Sequence, residues 1–215
     1  MRILQRLPYA VGYTGLISLI IGVLNVKDSP LFMAFLVVLF GATLFERAPA
    51  SKALKSALGG NDASPITTWV IGATFLTNVV LPILDYRYST PLAPTGWLNW
   101  LGLTIFALGS ALRAWAVAAA GEAFQTHIVV SPKQRLVTTG PYAWLRHPAY
   151  LATILSYAGI AMIFHSALGA GVLLVLVIPT LIVRVFKEEQ VLAAHFGEGW
   201  QQYTGKTTSM LMPGL

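Results

Sequence analysis

From His147 to Val183 the chain carries no Asp, Glu, Lys or Arg across 37 consecutive residues. As a single helix that stretch would be about 55 Å long at ~1.5 Å per residue, against a bilayer hydrocarbon thickness of ~30 Å. It must therefore fold back on itself. His165-Ser166, followed by Gly169 and Gly171, is the expected turn, leaving two short helices over His147–Phe164 and Ala167–Val185. Pro179 falls inside the second, where its missing N–H and its ring predict a kink.

Four further apolar runs precede this hairpin: Tyr9–Val26, Ser29–Phe45, Ala63–Leu84 and Gly96–Ala120, the last with one internal charge, Arg113. Hydrophobic residues make up 56% of the 215-residue chain and charged ones 10%, whereas an ordinary soluble domain is about 25% charged. A soluble core of this size cannot hide so much apolar surface, so a bilayer takes part of it. The expected fold is all-α: one polytopic membrane domain over residues 1–215, with four transmembrane helices in 1–120 and a catalytic part in 121–215. Arg2 and Arg6 before an apolar run could mimic a secretory leader. That reading is set aside, because Tyr9–Val26 is long enough to span and no small-residue cleavage site follows it.

The net charge of +6 is explained by topology and not by nucleic acid. With the N-terminus in the cytoplasm, six crossings place Arg2, Arg6, Arg47, Lys52, Lys55, Lys133, Arg135, Arg146, Lys187 and Lys206 on that side. Only Lys27 and Arg87 fall opposite. Such asymmetry is what orients membrane proteins, and it puts both termini in the cytoplasm. The absence of cysteine excludes disulfides, thiolate metal sites and cysteine nucleophiles. Neither a P-loop nor a GxGxxG turn is present, and ligands for a metal site are poor. The stretch Glu46–Asp62 reads as an amphipathic surface helix ending at Gly59, while Gly121–Arg146 and Lys187–Leu215 hold more polar residues than connectors need.

The densest polar segment is Gln134–Tyr150, QRLVTTGPYAWLRHPAY. Gly140-Pro141 signals a turn, and Pro148 is well placed in a first helical turn. Tyr142, Arg146, His147 and Tyr150 therefore gather at the cytoplasmic mouth of the hairpin, where free backbone N–H groups favour an anion. The plainer alternative makes Arg146 a topology anchor, His147 a cap and the tyrosines interfacial. A second cluster is Arg184-Val-Phe-Lys187-Glu188-Glu189. Arg184 and Glu188 are four apart and share a helical face; a surface ion pair is the plain reading, but a charge at the edge of an apolar zone is usually functional. Arg113 could snorkel to the interface or pair with Glu188 or Glu189. His127 and His165 read as incidental, and Asn78 as an interhelical hydrogen bond.

Taken in order, Leu136-Val-Thr-Thr-Gly-Pro-Tyr-Ala-Trp-Leu-Arg-His-Pro-Ala-Tyr150, Arg184-x-x-x-Glu188-Glu189, His195-Phe-Gly197, Trp200, Tyr203 and Pro213 resemble the isoprenylcysteine carboxyl methyltransferase and phospholipid methyltransferase superfamily of integral membrane enzymes. The likeness covers about residues 120–215; the first four runs match only in hydrophobicity. It implies methyl transfer from S-adenosylmethionine, with Gln134, Leu136, Val137, Tyr142, His147, Pro148, Tyr150 and Glu188 as cofactor contacts. It implies Arg184 as the catalytic residue at the substrate end, with Arg146 beside it. A carboxylate acceptor needs a cation to orient it and not a strong base; an amine or phenol would need one, from His127, His147 or Glu189. The acceptor would be lipophilic and arrive from the bilayer, while the cofactor arrives from the cytoplasm. In a bacterium this would be the inner membrane. Nothing in the residues identifies a prenyl group. A nicotinamide-dependent membrane reductase of sterol-reductase type, or a transport or assembly protein, are the rival readings.

Overall fold

The computed structural model describes residues 7–23, 30–45, 65–89, 96–124 and 134–207, and these are helical with short connections. The helices are α1 Leu7–Val23, α2 Pro30–Phe45, α3 Pro65–Tyr88, α4 Trp97–Ala120, α5 Pro148–Ile163, α6 Ala167–Phe196 and α7 Glu198–Lys206. Each of the six apolar runs read from the sequence thus holds a helix among the described residues. By length and composition α4 and α6 suffice to cross a membrane, and α1, α2 and α5 hold shorter apolar spans. Large apolar side chains face outward, among them Leu108, Leu174, Val175, Val183 and Phe186. Such a surface suits lipid and not water, in which contiguous apolar patches stay small. The expected helix over Glu46–Asp62 lies outside the described residues, as does His127.

Helices α4 and α5 make the tightest pairing. A Cβ added at Gly159 would lie 2.5 Å from the Phe106 nitrogen and 2.6 Å from the Gly102 carbonyl oxygen; one added at Gly109 would meet the Ser156 nitrogen at 2.8 Å. Only hydrogen fits there, so the backbones touch, which is how membrane helices associate where lipid removes the hydrophobic drive. Asn99 locks the same pair. Its Oδ1 accepts from Gly96 N at 2.8 Å, and its Nδ2 donates to Ile163 O at 2.8 Å. One side chain therefore caps the start of α4 and the end of α5 together.

The α5–α6 turn falls at Phe164–Ser166, as expected, but Gly169 and Gly171 lie inside α6 and not in the turn. Gly169 serves packing: a Cβ there would meet Pro82 Cγ of α3 at 2.8 Å. Phe164 anchors the turn from within, stacked on Phe32 at 5.5 Å and edge-on to Phe35 at 5.3 Å. The first turn of α6 is capped twice. Ser166 Oγ accepts from Gly169 N at 2.8 Å, and Asp85 Oδ2, from α3, accepts from Ser166 Oγ at 2.7 Å and Leu168 N at 3.1 Å. A carboxylate at a helix N-terminus satisfies orphan donors and opposes the dipole.

Helix α6 differs from expectation in two ways. The disturbance at Pro179 takes the form of a widened π turn at Leu173–Val177, which relieves the ring against the preceding turn. The helix also continues past Val185 to Phe196. The segment Lys187-Glu-Glu-Gln-Val-Leu-Ala-Ala consists mostly of good helix formers, and nothing breaks it until Gly197, at φ +53. The polar cluster after Val185 is therefore carried rigidly on the hairpin and not in a loose tail.

Candidate active site

Gly140, at φ +64, opens a tight turn over Gly140–Ala143 with Pro141 buried in it. A side chain there would be strained, and its Cβ would press on Ala119 at 3.1 Å. The chain then drops to His147, the residue before α5, with Pro148 as the first helical residue. Helix α7 staples this turn down. Tyr203 Oη donates to Tyr142 O at 2.8 Å, and Thr207 Oγ1 donates to Ala143 O at 3.3 Å. Burial, opposed by Arg146 and reinforced by Glu189, pushes the Tyr203 phenol up to about 12, so it stays a donor at neutral pH. Burial, with Glu188 nearby, also pushes the Tyr142 phenol up.

Two hydrogen-bonded chains run between α5 and α6. In the first, Arg184 Nε donates to Tyr150 Oη at 2.9 Å, and Tyr150 Oη donates to Glu188 Oε2 at 2.6 Å. Tyr150 thus bridges the arginine and the acid that share one face of α6. In the second, Arg146 Nη1 pairs with Glu189 Oε1 at 2.8 Å, and His147 Nε2 reaches the same oxygen at 3.2 Å. The chains meet at the His147 ring, which stacks on Tyr150 with centroids 5.6 Å apart and planes 9° apart. Its Nδ1 lies 3.8 Å from Glu188 Oε2. Arg184 is only 3% exposed and His147 5%; a guanidinium so deeply placed is stable only where acceptors and an acid offset its desolvation. The Glu188 side chain, by contrast, is 32% exposed, open to a ligand.

The structure therefore gathers Tyr142, Arg146, His147, Pro148, Tyr150, Arg184 and Glu188 at one end of the α5–α6 hairpin. Gln134, Leu136 and Val137 lie half-buried on the irregular segment leading into the Gly140 turn. Arg113 reaches from α4 toward Ala149 O at 3.5 Å and Thr153 Oγ1 at 3.3 Å, over the Phe124 ring. Three contacts were not foreseen from the sequence: that of Glu189, read there as a candidate base, with Arg146 and His147, and the staples made by Tyr203 and Thr207. Trp200 and Tyr203, both buried and three apart, mark the inner face of α7 and were the available signal.

The described residues are helical, with an acid–arginine–tyrosine cluster at one end of an apolar hairpin, and known proteins share this organisation. Residues 100–194 match the Isoprenylcysteine carboxyl methyltransferase (ICMT) family. The chain is 26% identical over 163 residues to protein-S-isoprenylcysteine O-methyltransferase B of Arabidopsis thaliana, covering 73% of this chain and 82% of that protein. It is 32% identical over 110 residues to the protein-S-isoprenylcysteine O-methyltransferase of Schizosaccharomyces pombe, covering 50% of this chain but only 46% of that one. The fold resembles a solved eukaryotic intramembrane Ras methyltransferase, with a TM-score of 0.64 and 21% identity over 95% of this chain and 75% of that chain. Residues 100–194 thus resemble the isoprenylcysteine carboxyl methyltransferase family, and the enzyme class that this likeness supports is that of the methyltransferases.

Proposed function

We propose that this protein transfers the methyl group of S-adenosylmethionine to the carboxylate of an isoprenylcysteine-type or other lipid-like acceptor at the cytoplasmic end of the α5–α6 hairpin. The observation that carries the reading is the Arg184–Tyr150–Glu188 chain, which lies within the family-matched residues. The residues present suit the cofactor. Its ammonium and sulfonium call for anions, and Glu188 offers a partly exposed one; its adenine calls for flat or apolar neighbours, such as Tyr142, Tyr150, His147, Pro148, Leu136 and Val137, with Gln134 as a polar contact. When bound, it supplies an electrophilic methyl whose bond to sulfur breaks as a bond to the acceptor oxygen forms in line. Both opposite charges are consumed and no proton moves.

The protein's own work is then positioning. Arg184 orients the acceptor carboxylate, with Arg146 as a second cation beside it. The Tyr150 hydroxyl fixes the Arg184 guanidinium by accepting from Nε, and it holds Glu188 toward the cofactor. Burial of Arg184 keeps water off the acceptor, where a charge-assisted contact is strongest. The lipophilic tail stays in the bilayer beside α6, with the six apolar helices read as six crossings, both termini in the cytoplasm, and residues 121–215 as the catalytic part. The family match supports this reading and adds nothing to the reductase or transport alternatives. The test is incubation of the purified protein with methyl-labelled cofactor and farnesylcysteine. Base-labile label in the lipid extract is expected; label absent across carboxylate, amine and thiol lipids would refute the proposal.

A further inference from the structure

The two adjacent acids on α6 do different things. Neighbouring helical residues point about 100° apart, and here Glu188 meets the Tyr150 hydroxyl at 2.6 Å while Glu189 meets Arg146 at 2.8 Å and His147 Nε2 at 3.2 Å. We propose that Glu189 is a positioning residue that fixes the His147 imidazole with its hydrogen on Nε2, and thereby sets the affinity of the site for its cofactor. The second half rests on the methyltransferase reading; the first does not.

An ionised carboxylate only accepts hydrogen bonds. Glu189 Oε1 already accepts from Arg146 Nη1 at 2.8 Å, so the ring nitrogen facing it must donate. The hydrogen bond at one imidazole nitrogen decides the condition of the other. Nδ1 therefore faces Glu188 Oε2 at 3.8 Å, beyond hydrogen-bond distance, on the side where the cofactor is placed. The ring has little freedom to take any other pose. It is 5% exposed and lies nearly parallel to Tyr150, whose hydroxyl is fixed by Arg184 and Glu188. A half-turn of the ring would put Cε1 where Nε2 meets Glu189 and Cδ2 where Nδ1 faces Glu188, and lose this division. One acid cannot serve both sides of the imidazole, which gives the doubled glutamate a physical purpose.

The test combines nitrogen-15 spectra of the ligand-free protein in detergent with titration of S-adenosylhomocysteine. The chain has four histidines, so His147 is assigned by its loss in His147→Gln. At a pH where the ring is neutral, the wild type is expected in the Nε2–H form. Glu189→Gln should keep that form, since its amide oxygen still accepts from Arg146 and the ring, whereas Glu189→Ala should mix the two forms. Affinity should fall about tenfold in Glu189→Ala and stay within about threefold of wild type in Glu189→Gln. If Glu189→Ala does not fold, Glu189→Asp, which keeps the charge but withdraws the oxygen, is read in its place with the same expectation. A wild-type ring with hydrogen on Nδ1, or a Glu189→Ala spectrum unchanged from wild type, overturns the proposal. A mixed ring with unchanged affinity overturns its link to the cofactor. A folded wild type that binds no S-adenosylhomocysteine refutes the methyltransferase reading instead, while the spectra still judge Glu189.

Discussion

Tyr150 is the residue on which the site turns, because its one hydroxyl accepts from Arg184 and donates to Glu188. Tyr150→Phe removes both contacts without changing shape. Leaving a buried guanidinium short of an acceptor costs about 1–3 kcal/mol, and turnover is expected to fall about tenfold or more by single-turnover assay; an unchanged rate would show that Arg184 is held without it. Arg184→Ala should spare cofactor affinity and cut kcat by about a hundredfold or more, and equal losses in binding and turnover would contradict its place at the acceptor. Both residues were legible in the sequence, because each sits at a motif position or a fixed helical spacing. Glu189 was legible only as a spare base, since its partners Arg146 and His147 lie about forty residues earlier and spacing says nothing of who meets whom across a hairpin.

At the scale of elements, the site depends on where α6 starts, about thirty residues before its end at Phe196. Asp85 sets that start by accepting from Ser166 Oγ and Leu168 N. Asp85→Ala is expected to cost about 1–2 kcal/mol, seen as a lower Tm in detergent with the cofactor contacts untouched; unaltered unfolding would show that the cap is idle. The α4–α5 contact is less forgiving. Gly159→Leu must push apart backbones that leave no room for even a Cβ, so loss of the folded protein is expected, and a stable variant would contradict the packing. The hairpin and its turn could be read from the uncharged stretch, and helix ends came out within a few residues. The extension of α6 to Phe196 was missed because charged residues were taken as the end of the helix, when only the end of the apolar face lay there. The glycine seam escaped because small residues signal a contact without naming its partner.

For the whole molecule, the apolar exterior of α4 and α6 suits a membrane, and the polar cluster lies at one end of the hairpin. A chain without cysteine is ready for accessibility mapping. With six crossings, Lys206→Cys reacts with an impermeant maleimide from the cytoplasmic side only, and Arg87→Cys from the opposite side only; labelling of both from one side would contradict that count. Hydropathy made the helices legible, whereas the reaction rested on an ordered motif string that composition alone could not supply. The central claim is that the cluster between α5 and α6 holds S-adenosylmethionine. Its most direct test is calorimetric titration of the purified protein with S-adenosylhomocysteine, beside Glu188→Gln and Arg184→Ala. The account predicts saturable binding by the wild type, about tenfold weaker binding by Glu188→Gln through loss of one charge-assisted contact, and little change for Arg184→Ala. Folded protein that gives no heat, or binding that Glu188→Gln leaves intact, would contradict it.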